Sequence, residues 1–270
     1  MEAATNEQRR RLILGGLAAV PMVRASARAS ELKPTPASRR LLKVDAKPAP
    51  ITIDAAKTAV IVVDMENDFG SKGGMFDLAG IDISGIQKAV APTGRVLAAA
   101  RTAGIRVVYL KMGYRPDLSD LGAADSVNRV RHLGLGVGKI VRTPDGKEGR
   151  ILIRDTWGTD IVSELTPQAE DIVIWKTRFS GLYNTELDAT LKKLGIKHLI
   201  FTGCTTSICV ESTVRDAMFR DYQSVLLADC MDEPIGHGMS RSNHEASLLS
   251  VEVLLGWVSS ADQFAAALSG

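Results

Sequence analysis

Three side chains of this chain could together cut an acyl bond: the thiol of Cys209, the carboxylate of Asp64 and the ammonium of Lys176. A thiol attacks a carbonyl carbon once a base takes its proton. A carboxylate can be that base, and can later return the proton to a departing nitrogen. A nearby cation keeps the carboxylate ionised until it is needed. Cys209 follows an apolar run over His198–Phe201 and precedes a helical pattern over Glu211–Tyr222. It is therefore expected at or just inside a helix N-terminus, where unpaired N–H groups and the positive end of the dipole favour thiolate over thiol. Backbone N–H groups there, those of Thr205 and Cys209, would hold the oxyanion formed on attack. A lone cysteine after a strand is more commonly a packing residue. Cys204 and Cys230, with no helix start behind them, read that way.

The elements that must position these groups alternate along the chain. Thr58–Asp64 is a continuous apolar run ending in the acid, as expected of a strand covered on both faces. A helical stretch over 84–103 ends at Gly104, and a second strand covers 105–110. The segment 111–158 is polar and glycine-rich, too long for a passive connector, and is expected to carry short helices and part of a pocket wall. Further strands fall at 171–175, 197–202 and 224–228, with helices at 184–194, 209–222, 237–255 and 261–268. Such alternation predicts an α/β fold, a parallel sheet sandwiched by helices. In it Asp64, Lys176 and Cys209 all lie at carboxyl ends of strands, the edge at which such sheets bind ligands.

With 270 residues, the chain suits one sizeable domain after a leader. A net charge of +2 with no massed basic segment in the body argues against nucleic-acid binding. Three irregularly spaced cysteines form neither a disulfide framework nor a CxxC zinc pair. The start is distinct. Arg9, Arg10 and Arg11 precede an apolar stretch to Val23, followed by small residues at Ala25-Ser26-Ala27 and Ala27-Arg28-Ala29. The stretch is too short to span a bilayer, so no stable membrane association is expected. It reads as a twin-arginine export signal over 1–29, which implies a periplasmic enzyme; the alternative is a basic start on a cytoplasmic one. Residues 30–50, with four prolines, read as a linker or arm before a domain over 51–270.

The segments Val62–Phe69, Lys176–Ser180 and Gly203–Thr213 together resemble the isochorismatase-like cysteine hydrolases, over residues 50–268. Phe76–Gly80, Phe179–Thr185 and Gly256–Ser259 are similar to the ureidoacrylate amidohydrolases within that superfamily. The resemblance implies a three-layer α/β fold, a homo-oligomer, an Asp–Lys–Cys triad at Asp64, Lys176 and Cys209, and a cis peptide between Cys204 and Thr205. It implies hydrolysis of a small carbamoyl, ureido or carboxamide compound through a thioester, without metal or cofactor. Nicotinamidase relatives hold a metal on an Asp/His cluster after the second strand; here Leu110–Tyr114 contains no histidine. The chain departs from the ureidoacrylate pattern at Cys204–Ser207 and at Met112, where those enzymes carry a polar amide nearby. A related amidase, or an exported binding protein without turnover, are the competing readings. Arg178 and Tyr183 match a pocket-adjacent run, and Asn67, Phe69 and Tyr114 are candidate lining residues. His132, His198, His237 and His244 have no metal-ligand partner at motif spacing.

Overall fold

The computed structural model describes residues 39–270. The expected export signal and the first part of the expected linker lie outside the described residues. Strands β1 (Leu41–Val44) and β2 (Ile51–Asp54) form an antiparallel hairpin. Residues 41–44 of the expected arm are thus a strand. Leu42 and Val44 point inward while Lys43 points out, a two-residue period that the prolines on either side obscure.

Strand β3 (Thr58–Val63) is buried at every residue, as its apolar run requires. Two single-turn helices follow, α1 (Asn67–Gly70) and α2 (Met75–Leu78), then the long α3 (Ser84–Thr102) and β4 (Arg106–Met112). The segment after β4 contains α4 (Val127–Gly134) and a hairpin of β5 (Ile140–Arg142) and β6 (Glu148–Arg150). Next come β7 (Ile172–Lys176), α5 (Leu187–Lys193) and β8 (His198–Cys204). A π-helical turn over Thr206–Val210 leads into α6 (Glu211–Met218) and β9 (Gln223–Asp232). The chain closes with α7 (Asn243–Ser250), a second π-helical turn (Val251–Leu255), β10 (Trp257–Ser259) and α8 (Ala261–Ser269). The helix expected from His237 starts only at Asn243. Gly236 and Gly238 have positive φ, and Ser242 caps the helix in a reciprocal capping box with Glu245.

Six strands form one parallel sheet in the order β10-β9-β8-β3-β4-β7. From β3 the chain crosses to β4, and from β8 it crosses the opposite way to β9. Right-handed crossovers then put α3 and α6 on opposite faces; α3 packs with α8 against the sheet, while α6 packs beside both π-helical turns. The reversal between neighbours β3 and β8 makes a topological switch point, where the loops part and leave a crevice.

Gly203 lets these two strands meet closely at that point. It has φ +114°, and a Cβ there would lie 2.0 Å from the Val63 carbonyl oxygen. Gly203→Ala is therefore expected to cost about 3 kcal/mol through forced backbone displacement. The check is the urea midpoint; an unchanged midpoint would show that the strands tolerate separation.

Candidate active site

Asp64 directly follows β3 and turns the chain with φ +49°, a left-handed conformation that Asp tolerates better than most residues. Its N–H donates to the Leu110 carbonyl at 2.9 Å, and its own carbonyl accepts the Cys204 thiol at 3.0 Å. Cys204 is thus a packed thiol, as expected, and it also ties the end of β8 to the turn carrying the acid. The Cys204–Thr205 peptide is cis.

Lys176 is the last residue of β7, two strands from β3, and its side chain is fully enclosed. Its Nζ donates to Asp64 Oδ2 at 2.6 Å, to the Arg178 carbonyl at 3.4 Å and to the Met112 sulfur at 3.7 Å. Burial is the strongest single influence and works to discharge this lysine, but Asp64, Cys209 and Glu66 together, Asp64 foremost, hold it above its ordinary pKa. For Asp64, burial raises the pKa and Lys176 opposes the rise, with a net shift upward.

Cys209 sits in the π-helical turn after β8, nearly closed off from solvent, within interaction range of both Asp64 and Lys176. Burial pushes its thiol up, Lys176 pulls it down, and Asp64 pushes it up again. The net direction is upward, toward a thiol that holds its proton until a base takes it, and so runs against the expectation that the helix start favours thiolate. The reason is local. Cys209 precedes the regular helix α6, and the amides that would stabilise a thiolate are largely used. Ser207 N–H donates to Glu233 Oε2 at 2.5 Å, and Ile208 and Val210 N–H both donate to the Thr205 carbonyl at 3.2 Å. Among the described residues, no hydrogen bond ties the N–H of Thr205 or of Cys209 to another element.

The walls come from the long segment after β4. Tyr114 is buried, donates through its hydroxyl to the Thr177 carbonyl at 3.3 Å and accepts from Asn128 Nδ2 at 3.3 Å. Burial lifts its phenol to about 12, and its hydroxyl meets the backbone of Thr177, the residue after Lys176. His132 of α4 packs edge-on against Tyr114 and beside Phe179. Its Nδ1 faces the Asn128 carbonyl at 2.7 Å, so that nitrogen carries the proton. Burial and the nearby Lys176 and Arg178 charges hold His132 below its ordinary pKa, against the pull of that hydrogen bond. Nε2 is left as an acceptor. Sequence reasoning set His132 aside, because nothing in its spacing reveals that α4 folds back over the sheet edge.

The other expected contacts are placed differently. Asn67 spends its amide on the Trp157 carbonyl and the Ser71 hydroxyl, each at 2.8 Å, so it braces α1 rather than offering a free group. Phe69 is buried edge-on against Phe76, 5.1 Å between centroids, and packs in the core. Arg178 donates to the carbonyls of Thr177 at 2.6 Å and Asp120 at 3.2 Å, which fixes the loop after β7. Tyr183 is 51% exposed. Among the buried acids not foreseen are Glu66, and Glu233, which anchors the nucleophile turn from just beyond β9. His244 adds a second anchor, with Nδ1 2.9 Å from the Thr206 hydroxyl.

Among the described residues no group of three or more His, Cys, Asp or Glu side chains is arranged to hold a metal ion. None of their helices is long and apolar enough to cross a membrane.

Comparison with known proteins agrees with this geometry. The Isochorismatase domain matches residues 58–263, from the first residue of β3 into α8. The ureidoacrylate amidohydrolase RutB of Variovorax paradoxus (strain S110) is 42% identical over 219 residues, 81% of this chain and 84% of that protein. The structure of a cysteine hydrolase from Pseudomonas syringae pv. phaseolicola 1448A aligns with a TM-score of 0.68 at 27% identity, over 86% of this chain and 98% of that one. The N-carbamoylsarcosine amidase of Thermoplasma acidophilum aligns with a TM-score of 0.56 at 25% identity, over 76% and 97% of the two chains. With the family match spanning the whole sheet, and amidohydrolase relatives alike over most of their length, the chain belongs to the isochorismatase family and is an amidohydrolase of C–N bonds.

Proposed function

We propose that the protein hydrolyses a small ureido compound of the ureidoacrylate type by a Cys209 thioester route, with Asp64 and Lys176 completing the triad. The observation that carries this reading is the enclosed Lys176–Asp64 pair at 2.6 Å, bordering the thiol at the β3/β8 switch point. A thiol protonated at rest loses its proton to Asp64 as its sulfur attacks the carbonyl carbon. The developing oxyanion is met by the N–H groups of Thr205 and Cys209. Collapse breaks the C–N bond, and Asp64 passes the proton to the leaving nitrogen. A water, deprotonated by Asp64, then attacks the thioester, and the departing sulfur recovers that proton. With a ureide the acyl product is carbamate, which breaks down to ammonia and carbon dioxide. Lys176 stays charged throughout and orients the acid.

Similarity to ureidoacrylate amidohydrolases over most of their length supports the ureide. A second reading, another carbamoyl or amide substrate, is favoured by Met112. Its thioether lies against Lys176 Nζ, where a polar side chain could otherwise meet a substrate carboxylate or ureido group. An ammonia-release screen of the purified enzyme against ureides, biuret, nicotinamide and simple amides separates them. The ureides are expected to give the highest kcat/KM, and a preference for simple carboxamides with no ureide turnover would overturn the first reading. The arginine-led start supports export of the folded enzyme, and the exposed Leu249, Val253 and Leu254 support self-association.

A further inference from the structure

Glu66 stands two residues beyond Asp64 and is completely enclosed. Its Oε1 accepts the Met112 N–H at 2.6 Å, which joins the turn after β3 to the last residue of β4. Its backbone pairs with Ile161, so the side chain is held from both directions. Oε2 is buried with no hydrogen-bond partner. The charged groups facing it are Asp64 on its own turn, Lys111 on β4 and Lys176 on β7. None is free to neutralise it by contact. The three protons of the Lys176 ammonium are directed at Asp64, the Arg178 carbonyl and the Met112 sulfur. Lys111 Nζ lies over the Trp175 ring, 4.3 Å from its centroid. Two enclosed carboxyl groups therefore share one contacting cation, already committed to Asp64.

We propose that Glu66 is a positioning residue carried as an uncharged carboxylic acid, an amide-like strut between β3 and β4 whose bound proton leaves Asp64 and Lys176 as a one-to-one ion pair. An unpaired buried carboxylate is costly enough that such a group keeps its proton instead. Burial first, and the neighbouring Asp64 charge second, move Glu66 well above the ordinary glutamate range, against smaller opposing effects of the Met112 amide and the two lysines. Forced ionisation at high pH would put a second anion beside the triad, compete for Lys176 and draw the ammonium off Asp64. The strut and its proton concern the chain itself; only the consequence for turnover rests on the reaction proposed above.

The isosteric variant Glu66→Gln tests this, because an amide reproduces the neutral acid and cannot ionise. Wild type binds the Glu66 proton more tightly folded than unfolded. That stabilisation is complete in acid, below the unfolded-state pKa, and is lost as pH climbs toward the folded-state value. All other titrating groups are common to both proteins and cancel in the difference. The folding equilibrium constant of Glu66→Gln relative to wild type should thus rise with pH, by up to about tenfold per unit, and level off once Glu66 ionises. Chemical denaturation of both proteins across acid, neutral and alkaline pH reads it. The pH profile of kcat/KM should be near-equal at neutral pH, with the alkaline limb of the variant moved upward. A stability difference that is flat, or that favours wild type increasingly as pH rises, would show Glu66 ionised and overturn the proposal. A glutamine variant that fails to fold would overturn it equally, since a neutral isostere must fit. If neither protein hydrolyses any compound offered, the reaction assignment fails, while the stability series still decides Glu66.

Discussion

Cys209→Ala is expected to lower kcat/KM by at least about 10⁴-fold while the protein stays folded, because no other group can form the acyl bond. Neither of the other thiols can substitute. Cys204 is buried and committed to the Asp64 carbonyl, with burial and the nearby Asp64 charge pushing it well above the usual thiol range. Cys230 is buried on β9, with its thiol pushed up to about 12, chiefly by burial. Circular dichroism and urea midpoints should show a change of no more than about 1 kcal/mol, since a single sulfur is removed from a nearly closed position. Turnover within tenfold of wild type, with the fold intact, would remove Cys209 from the chemistry.

Lys176→Met is expected to fail in both respects. Removing one member of a buried ion pair leaves the other uncompensated, at a cost of about 3–5 kcal/mol. Asp64 can escape only by binding a proton. The loss should then be smallest in acid, where a protonated Asp64 is tolerated, and should grow as pH rises. Activity should fall by several orders of magnitude, because a protonated Asp64 cannot take the thiol proton. The double variant Asp64→Asn with Lys176→Met separates the two effects. It removes both charges and should recover much of the stability but none of the activity. A single variant as stable as wild type at neutral pH would mean that the pair is not enclosed as described.

Much of this was legible from residue types. The apolar run of β3 announced a strand buried on both faces, and the placement of Asp64, Lys176 and Cys209 at strand ends followed from alternation alone. Strand order did not. That β3 and β8 are neighbours, with crossovers leaving in opposite directions, is a tertiary fact. The side wall was illegible for the same reason: α4 brings His132 and Asn128 to Tyr114 across a loop with no periodicity to betray it. The upward shift of the thiol was not legible, because sequence shows a helix following Cys209, yet not that Glu233 and the Thr205 carbonyl consume the nearby amides. Nothing in the sequence separates Glu66 from its polar neighbours Asn67 and Asp68. Only the closure of the sheet edge around it makes its charge state a question.

The central claim is that one sulfur, and no other group, carries the substrate's acyl portion for part of each turnover. Rapid acid quench of enzyme mixed with excess of a hydrolysed ureide or amide, followed by peptide mass mapping, tests it most directly. The expected result is a mass increase equal to the acyl fragment on the peptide bearing Cys209, absent when Cys209→Ala is treated in the same way. Full turnover with an unmodified Cys209 peptide at every quench time, or the adduct on Cys204 or Cys230, would contradict it.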